Sequence, residues 1–260
     1  MPKFCANLTM LYNEHPFPDR FAAAAEDGFT AVEYLFPYAY AKEQLAELLE
    51  VNGLKQILHN LPAGNWDAGE RGIACLPDRI GEFQDSVGRA IEYATALKCP
   101  QVNCLAGIPK PGTDPAALYE TLVGNLRFAA SALKSAGVKL LVEPINDKDM
   151  PGFWLTRAEQ GIALIDAVGS DNLSLQYDLY HQQRMSGELL ATWRRYKDRI
   201  AHIQLADNPG RNEPGTGEIN YPFLFAKLDE EGYAGWIGCE YRPAKETTPG
   251  LAWAKTYLGR

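Results

Sequence analysis

Residues 138–178 read VKLLVEPINDKDMPGFWLTRAEQGIALIDAVGSDNLSLQYD. An apolar run at 138–143 has strand character and ends in Glu143, a helical pattern occupies 156–168, and a second apolar run at 173–178 ends in Asp178. Thr156 followed three residues later by Glu159 is a capping-box pattern for the start of that helix. A buried run that finishes in a charged side chain is costly unless something receives the charge. That unit of strand, polar end, helix and strand is the key to the rest of the chain.

Working outward, the unit recurs. Towards the N-terminus, strands are expected at 3–10, 30–36, 54–60 and 101–105, with helices at 19–27, 41–52, 79–98 and 115–135. Gly28, Gly53 and Gly137 stand at helix ends, and Pro115 falls in a first turn. Towards the C-terminus, strands follow at 200–204 and 236–241, with helices at 187–196, 221–231 and 248–258. Eight strands alternating with eight helices over 260 residues, with no Pro-, Gly- or Ser-rich linker, predict an α/β protein built as a single (β/α)8 TIM barrel over residues 1–260. A doubly wound open sheet is the competing fold. It places its ligand at one switch point, whereas here Glu33, His59, Glu143, Asp178, Gln204 and Glu240 end six different strands. A barrel explains the recurrence, because the C-terminal ends of all its strands ring one site.

Composition narrows the function. The net charge is -8, which disfavours a partner bound through its phosphates, so no nucleic-acid role is expected. A membrane role is equally disfavoured. No stretch approaches the roughly 18 apolar residues of a membrane span, and residues 1–10 lack the pattern of a secretory leader; the expectation is a soluble, cytoplasmic protein. The five cysteines form no CxxC pair and are odd in number, so they read as buried reduced thiols.

Glu143, Asp178 and Glu240 taken singly read as helix caps or ion-pair partners. Three on one barrel rim read as a site, because their mutual repulsion in a partly dry pocket calls for a cation. With Gln204 they form an all-oxygen ligand set, which favours Mg2+ or Mn2+ over zinc. His181, three residues after Asp178, is placed to reach a substrate or the cation's outer shell, and His59 at the end of its strand is expected to face the same cavity. Arg211 lies just beyond strand seven and offers a guanidinium fork to a substrate carboxylate; Arg71 is a weaker candidate for that task. Residues 61–78 form the longest irregular segment and are expected to overhang the barrel mouth, where Trp66, with Phe36 and Tyr38, would set the size of the pocket. GTGEIN at 215–220 lacks the spacing of a phosphate loop and reads as a turn before a helix. Trp253 and Tyr257 in the last helix read equally as a core stripe or as a surface patch for a homo-oligomer.

The stretches ANLTM at 6–10, LHNLPAG at 58–64, GERGIAC at 69–75, EPIN at 143–146 and EPGTGEINY at 213–221 resemble the hydroxypyruvate isomerases of the xylose-isomerase-like barrel superfamily. The resemblance extends over essentially the whole chain. It implies interconversion of hydroxypyruvate and 2-hydroxy-3-oxopropanoate through an enediolate, with Glu143, Asp178, Gln204 and Glu240 at the metal-ligand positions. It also implies that Glu143 and Glu240 are the catalytic proton-transfer pair. The same superfamily holds 2-oxo-tetronate isomerases, ketose 3-epimerases and an endonuclease branch. Epimerases typically carry histidine where this chain has Gln204, which points towards the isomerase branch and a small keto or hydroxy acid as substrate; many carry glutamate where it has Asp149, so the resemblance carries no role over to that residue. A four-carbon 2-oxo acid is the nearest alternative substrate, and a non-catalytic sugar-acid binding barrel is an alternative of another class.

Overall fold

The computed structural model describes residues 1–259. Eight parallel strands close into a barrel in sequence order: β1 (Lys3–Asn7), β2 (Ala31–Glu33), β3 (Lys55–Asn60), β4 (Gln101–Cys104), β5 (Lys139–Val142), β6 (Leu173–Asp178), β7 (Ile200–Leu205) and β8 (Trp236–Cys239). β1 pairs with both β2 and β8, which completes the ring. Helices α1 (Arg20–Glu26), α2 (Lys42–Val51), α3 (Ile80–Ala96), α4 (Pro115–Ser135), α5 (Ala158–Val168), α6 (Leu179–Met185), α7 (Leu189–Tyr196), α8 (Tyr221–Glu230) and α9 (Thr247–Gly250) lie between or after the strands. The main core joins the outward faces of the strands to the helices: Val102, Leu140 and Leu175 from the barrel meet Phe83, Leu126 and Leu164. Among the described residues, no helix is long and apolar enough to cross a membrane.

Three sequence expectations are corrected. Residues 179–185, to which the sequence reading assigns no element, form α6, which starts immediately after β6 because the Asp178 side chain caps it, Oδ1 accepting from Tyr180 N at 2.7 Å. Gln160, not Glu159, reaches back at the start of α5, accepting from Thr156 N and Arg157 N, each at 3.1 Å. The helix expected at 248–258 is a short α9 followed by a 3-10 turn over Leu251–Ala254. Gly250, a poor helix former, stands at the junction. Trp253 and Tyr257 pack edge-on against Phe4, each with ring centroids 5.1 Å apart, so they belong to the core stripe.

The barrel interior is layered. Near the N-terminal end Cys5, Ala31 and Ile57 pack with Trp236. Above them lies a buried polar layer centred on Glu33. Its carboxylate accepts from Asn7 Nδ2 at 2.9 Å and Gln204 Nε2 at 2.7 Å, and its second oxygen lies 2.7 Å from His202 Nε2. Gly238 on β8 makes room for it, since a Cβ there would collide with the Glu33 carboxylate. Burial pushes the Glu33 carboxyl up, but His202 and the two amides outweigh it and hold the group below the usual carboxylate range. All five cysteines are free and buried.

Candidate active site

The top of the barrel opens into a cavity of about 540 Å³ lined by, among others, Glu143, Asp149, Tyr180, His181, Arg211 and Glu240. Glu143 follows β5, Asp178 ends β6 and Glu240 follows β8, so the adjacent ends of β5 and β6, with that of β8 beyond β7, deliver the three carboxylates on one rim. Each is buried. Burial raises all three against the pull of Arg211, and neighbouring carboxylates add to it (Glu240 and Asp178 at Glu143, Asp178 and Glu33 at Glu240, Glu33 at Asp178): Glu143 is lifted well above the usual range, Asp178 to about 6 and Glu240 to about 8. Their surroundings differ. Glu143 Oε2 accepts from Asn103 Nδ2 at 2.8 Å, and Glu240 Oε1 accepts from Arg211 Nη2 at 2.7 Å. Asp178 spends Oδ1 on its helix cap, while Oδ2 is buried without a hydrogen-bond partner, 4.0 Å from Arg211 Nη2.

His181 enters from the first turn of α6. Its ring orientation follows from Asn146, whose Oδ1 accepts from Lys148 N (3.1 Å) and Asp149 N (2.8 Å), leaving Nδ2 to face His181 Nδ1 at 2.6 Å. The amide donates, so Nδ1 accepts and the imidazole proton sits on Nε2. That Nε2 lies 3.5 Å from Asp178 Oδ2 and 4.0 Å from Glu143 Oε1. Burial, helped by the Arg211 and Arg184 charges, holds the imidazole well below its usual pKa, hence neutral.

Glu143, Asp178 and His181 form one of two groups among the described residues that bring three potential metal-binding atoms within 4.8 Å of one another. The other, Cys5 with Glu33 and His202, lies in the sealed polar layer, where Glu33 is already saturated by donors. The donor chemistry at the cavity fits a hard divalent cation: three carboxylates raised by burial and by neighbouring carboxylates, and one orphaned carboxylate oxygen. Gln204 has its Nε2 pinned by Glu33, so its Oε1 faces β6, accepting from Gln176 Nε2 at 2.5 Å with a second lone pair to spare.

The sequence model of the xylose isomerase-like TIM barrel family matches residues 21–257. The chain belongs to that family. Among its relatives, the hydroxypyruvate isomerase of Escherichia coli (strain K12) is 52% identical over 257 residues, covering 99% of this chain and 100% of that protein. A 2-oxo-tetronate isomerase of Cupriavidus necator is 50% identical over 260 residues and covers 100% of both chains. A crystal structure from Brucella melitensis, titled as an AP endonuclease of family 2, superposes with a TM-score of 0.97 at 44% identity, covering 99% of each chain.

Within this family fold, the residues singled out from sequence divide into those at the cavity and those away from it. Glu143, His181, Arg211 and Glu240 line it, Asp178 stands at its floor, and Gln204 lies on the floor's lower side. His59 is elsewhere. Register aligns it with Val102, and its ring sits beside Tyr38 and Ala90, with Nδ1 3.3 Å from Gln56 Nε2; the next residue, Asn60, lines the cavity instead. A shift of pairing between β2 and β3 at Val32/Glu33 offsets this strand by one residue, which exchanges the faces of its side chains. Burial lowers the His59 imidazole to about 3. Tyr38 also stands back, donating to Asn60 O at 2.7 Å, whereas Trp66 lines the cavity with Phe36 packed behind it, 5.0 Å between centroids. Residues 215–217 wrap the Asp207 carboxylate, which accepts from Gly215 N and Gly217 N at 2.9 Å each; they form a turn that carries the Arg211 loop.

Sequence reasoning missed Asn103, Asn146 and the structural part played by Glu33. The first two had a signal: an asparagine inside VNC and another after EPI are polar interruptions of apolar segments, and both are buried.

Proposed function

We propose that this chain is a hydroxypyruvate isomerase that interconverts hydroxypyruvate and 2-hydroxy-3-oxopropanoate, with a four-carbon 2-oxo-tetronate as the alternative substrate on the same site. The observation that carries the reading is the convergence of Glu143, Glu240 and Arg211 on one cavity, with Asp178 buried beside it, 4.0 Å from Arg211 and 3.5 Å from His181. Relatives bearing the names of both isomerases, half identical over their whole length, support the choice of substrate. The net charge of -8 argues against a nucleic-acid substrate.

Glu143, Asp178 and Glu240, with the Gln204 oxygen, would hold a divalent cation, Mg2+ or Mn2+ by the hardness of the donors. Such a cation polarises adjacent carbonyl and hydroxyl oxygens and acidifies the intervening C–H bond. The chain's own contribution is positional. Glu143 and Glu240 approach the cavity from different strands, so one can take a proton from a carbon on one side of the substrate and either can return it to the neighbouring carbon. The upward shift of the two carboxyls belongs to the metal-free cluster, and a bound cation would lower it, so base and acid are not divided between Glu143 and Glu240. His181, neutral with its proton on Nε2, donates to an oxygen that gains charge. Arg211 restrains Glu240 and neutralises part of the carboxylate cluster.

Glu143→Gln and Glu240→Gln test the assignment. Each keeps the side-chain shape and removes the base, so turnover of hydroxypyruvate is expected to fall by about 100-fold or more, the scale of general acid–base catalysis, at unchanged thermal stability or better. Activity within a few-fold of the parent in either variant would refute it.

A further inference from the structure

A 2-oxo acid differs from a neutral ketose by its carboxylate, and three arginines line the cavity to meet it: Arg71, Arg211 and Arg242. Arg211 already serves the carboxylate cluster through Nη2, 2.7 Å from Glu240 and 4.0 Å from Asp178, while its buried Nε has no hydrogen-bond partner. Arg242 is exposed at the rim. Arg71 combines a cavity position with a fixed geometry. Its Nη1 donates to Trp66 O at 2.9 Å and Glu70 O at 2.7 Å, and its guanidinium lies 4.0 Å from the centroid of the Trp66 ring. Among the described residues it makes no ion pair with a carboxylate.

The loop beneath Arg71 is firmly seated. Gly72, at φ +108°, approaches the Leu105 backbone so closely that a Cβ would collide with it. Cys75 N donates to Ala106 O at 2.9 Å, and Asn125 Nδ2 from α4 donates to Ala74 O at 2.8 Å. Glu70, next to Arg71, is tied to Arg79 and accepts from Asn65 N. Anchoring Nη1 on two carbonyls and stacking the plane on tryptophan leave the Nε and Nη2 edge as the uncommitted face of a guanidinium held in place before any ligand arrives. That edge is the fork that pairs side-on with a carboxylate, and its ordering cost has already been met by the fold.

We propose that Arg71, held by Trp66, receives the carboxylate of the substrate and so makes this barrel selective for acids over neutral sugars. The assignment rests on the 2-oxo-acid reading of the site. Arg71 is a binding residue that acts on the end of the substrate remote from proton transfer.

The test compares the parent with Arg71→Gln, Arg71→Lys and Trp66→Leu, by steady-state turnover of hydroxypyruvate and by calorimetric titration with D-glycerate, an acid of the same length that lacks the carbonyl. In Arg71→Gln, KM for hydroxypyruvate and Kd for D-glycerate are expected to rise together by roughly 10- to 100-fold, the scale of a lost charge-assisted pair, while kcat changes far less. Arg71→Lys keeps the charge without the fork and should fall between the two, and Trp66→Leu, which frees the guanidinium, should weaken D-glycerate several-fold. D-glycerate binding unchanged within twofold in Arg71→Gln would overturn the proposal, as would a parent protein that does not bind D-glycerate. A parent that binds D-glycerate through Arg71 yet turns over no 2-oxo acid would sink the isomerase reading and leave the carboxylate site standing.

Discussion

Glu33 is buried, does not line the active-site cavity, and should still be among the most damaging positions to alter. In Glu33→Gln the shape is retained, but the acceptor that holds Asn7, Gln204 and His202 together becomes half donor. Removing one member of a buried pair costs about 3–5 kcal/mol, and the acceptor oxygen that glutamine retains recovers about 1 kcal/mol. The net loss is therefore about 2–4 kcal/mol. For a chain of this size each kcal/mol lowers Tm by about 2–4 °C, so the variant should melt roughly 5–15 °C below the parent. Urea unfolding at pH 7.5 in chelator should show the loss as a lower midpoint at unchanged m-value. The sign with pH also follows. A carboxyl held below its ordinary value contributes stability in full above that value and loses it as pH falls through the lowered one, so the gap between parent and variant should close below roughly pH 4. A loss under about 0.5 kcal/mol, the size of an ordinary surface substitution, would refute the assignment of Glu33 as the hub of the barrel interior.

Gly238→Ala should destabilise by about 1–3 kcal/mol, because its methyl group meets the Glu33 carboxylate inside a closed ring of strands; an unchanged urea midpoint would contradict the packing described. The carboxylate cluster gives the opposite pH trend to Glu33. Asp178 and Glu240 are raised to about 6 and about 8, so the metal-free fold binds protons that the unfolded chain has released, and its Tm should fall as pH climbs from about 5 to 8. Mg2+ or Mn2+ takes the place of those protons, so added cation should raise Tm more at pH 8 than at pH 6. A cation effect that is absent, or equal at both pH values, would count against a site at these carboxylates.

Much of this was legible in the sequence because the barrel repeats one rule, an apolar strand closed by a polar residue, and each strand end is an independent reading of it. Glu143, Asp178, Arg211 and Glu240 could be named because strand ends on one rim must converge. His59 obeyed the same rule and does not converge, since a shift in pairing between β2 and β3 turns its side chain away and presents Asn60. A one-residue register change leaves no trace in composition or periodicity. The helix after Asp178 was missed for a related reason: one residue both ends a strand and caps a seven-residue helix, so no loop separates them. Glu33 showed itself as a polar strand end, but that it looks inward at Gln204 and His202 depends on strands far apart in sequence.

The most direct test of the central claim is the rate of hydroxypyruvate conversion by chelator-stripped protein before and after addition of Mg2+ or Mn2+, with a four-carbon 2-oxo-tetronate run alongside. The account predicts negligible conversion without the cation and rapid conversion with it, a preference for the four-carbon acid changing only the substrate. Failure to convert either acid in the presence of the cation, or full activity in its absence, would contradict it.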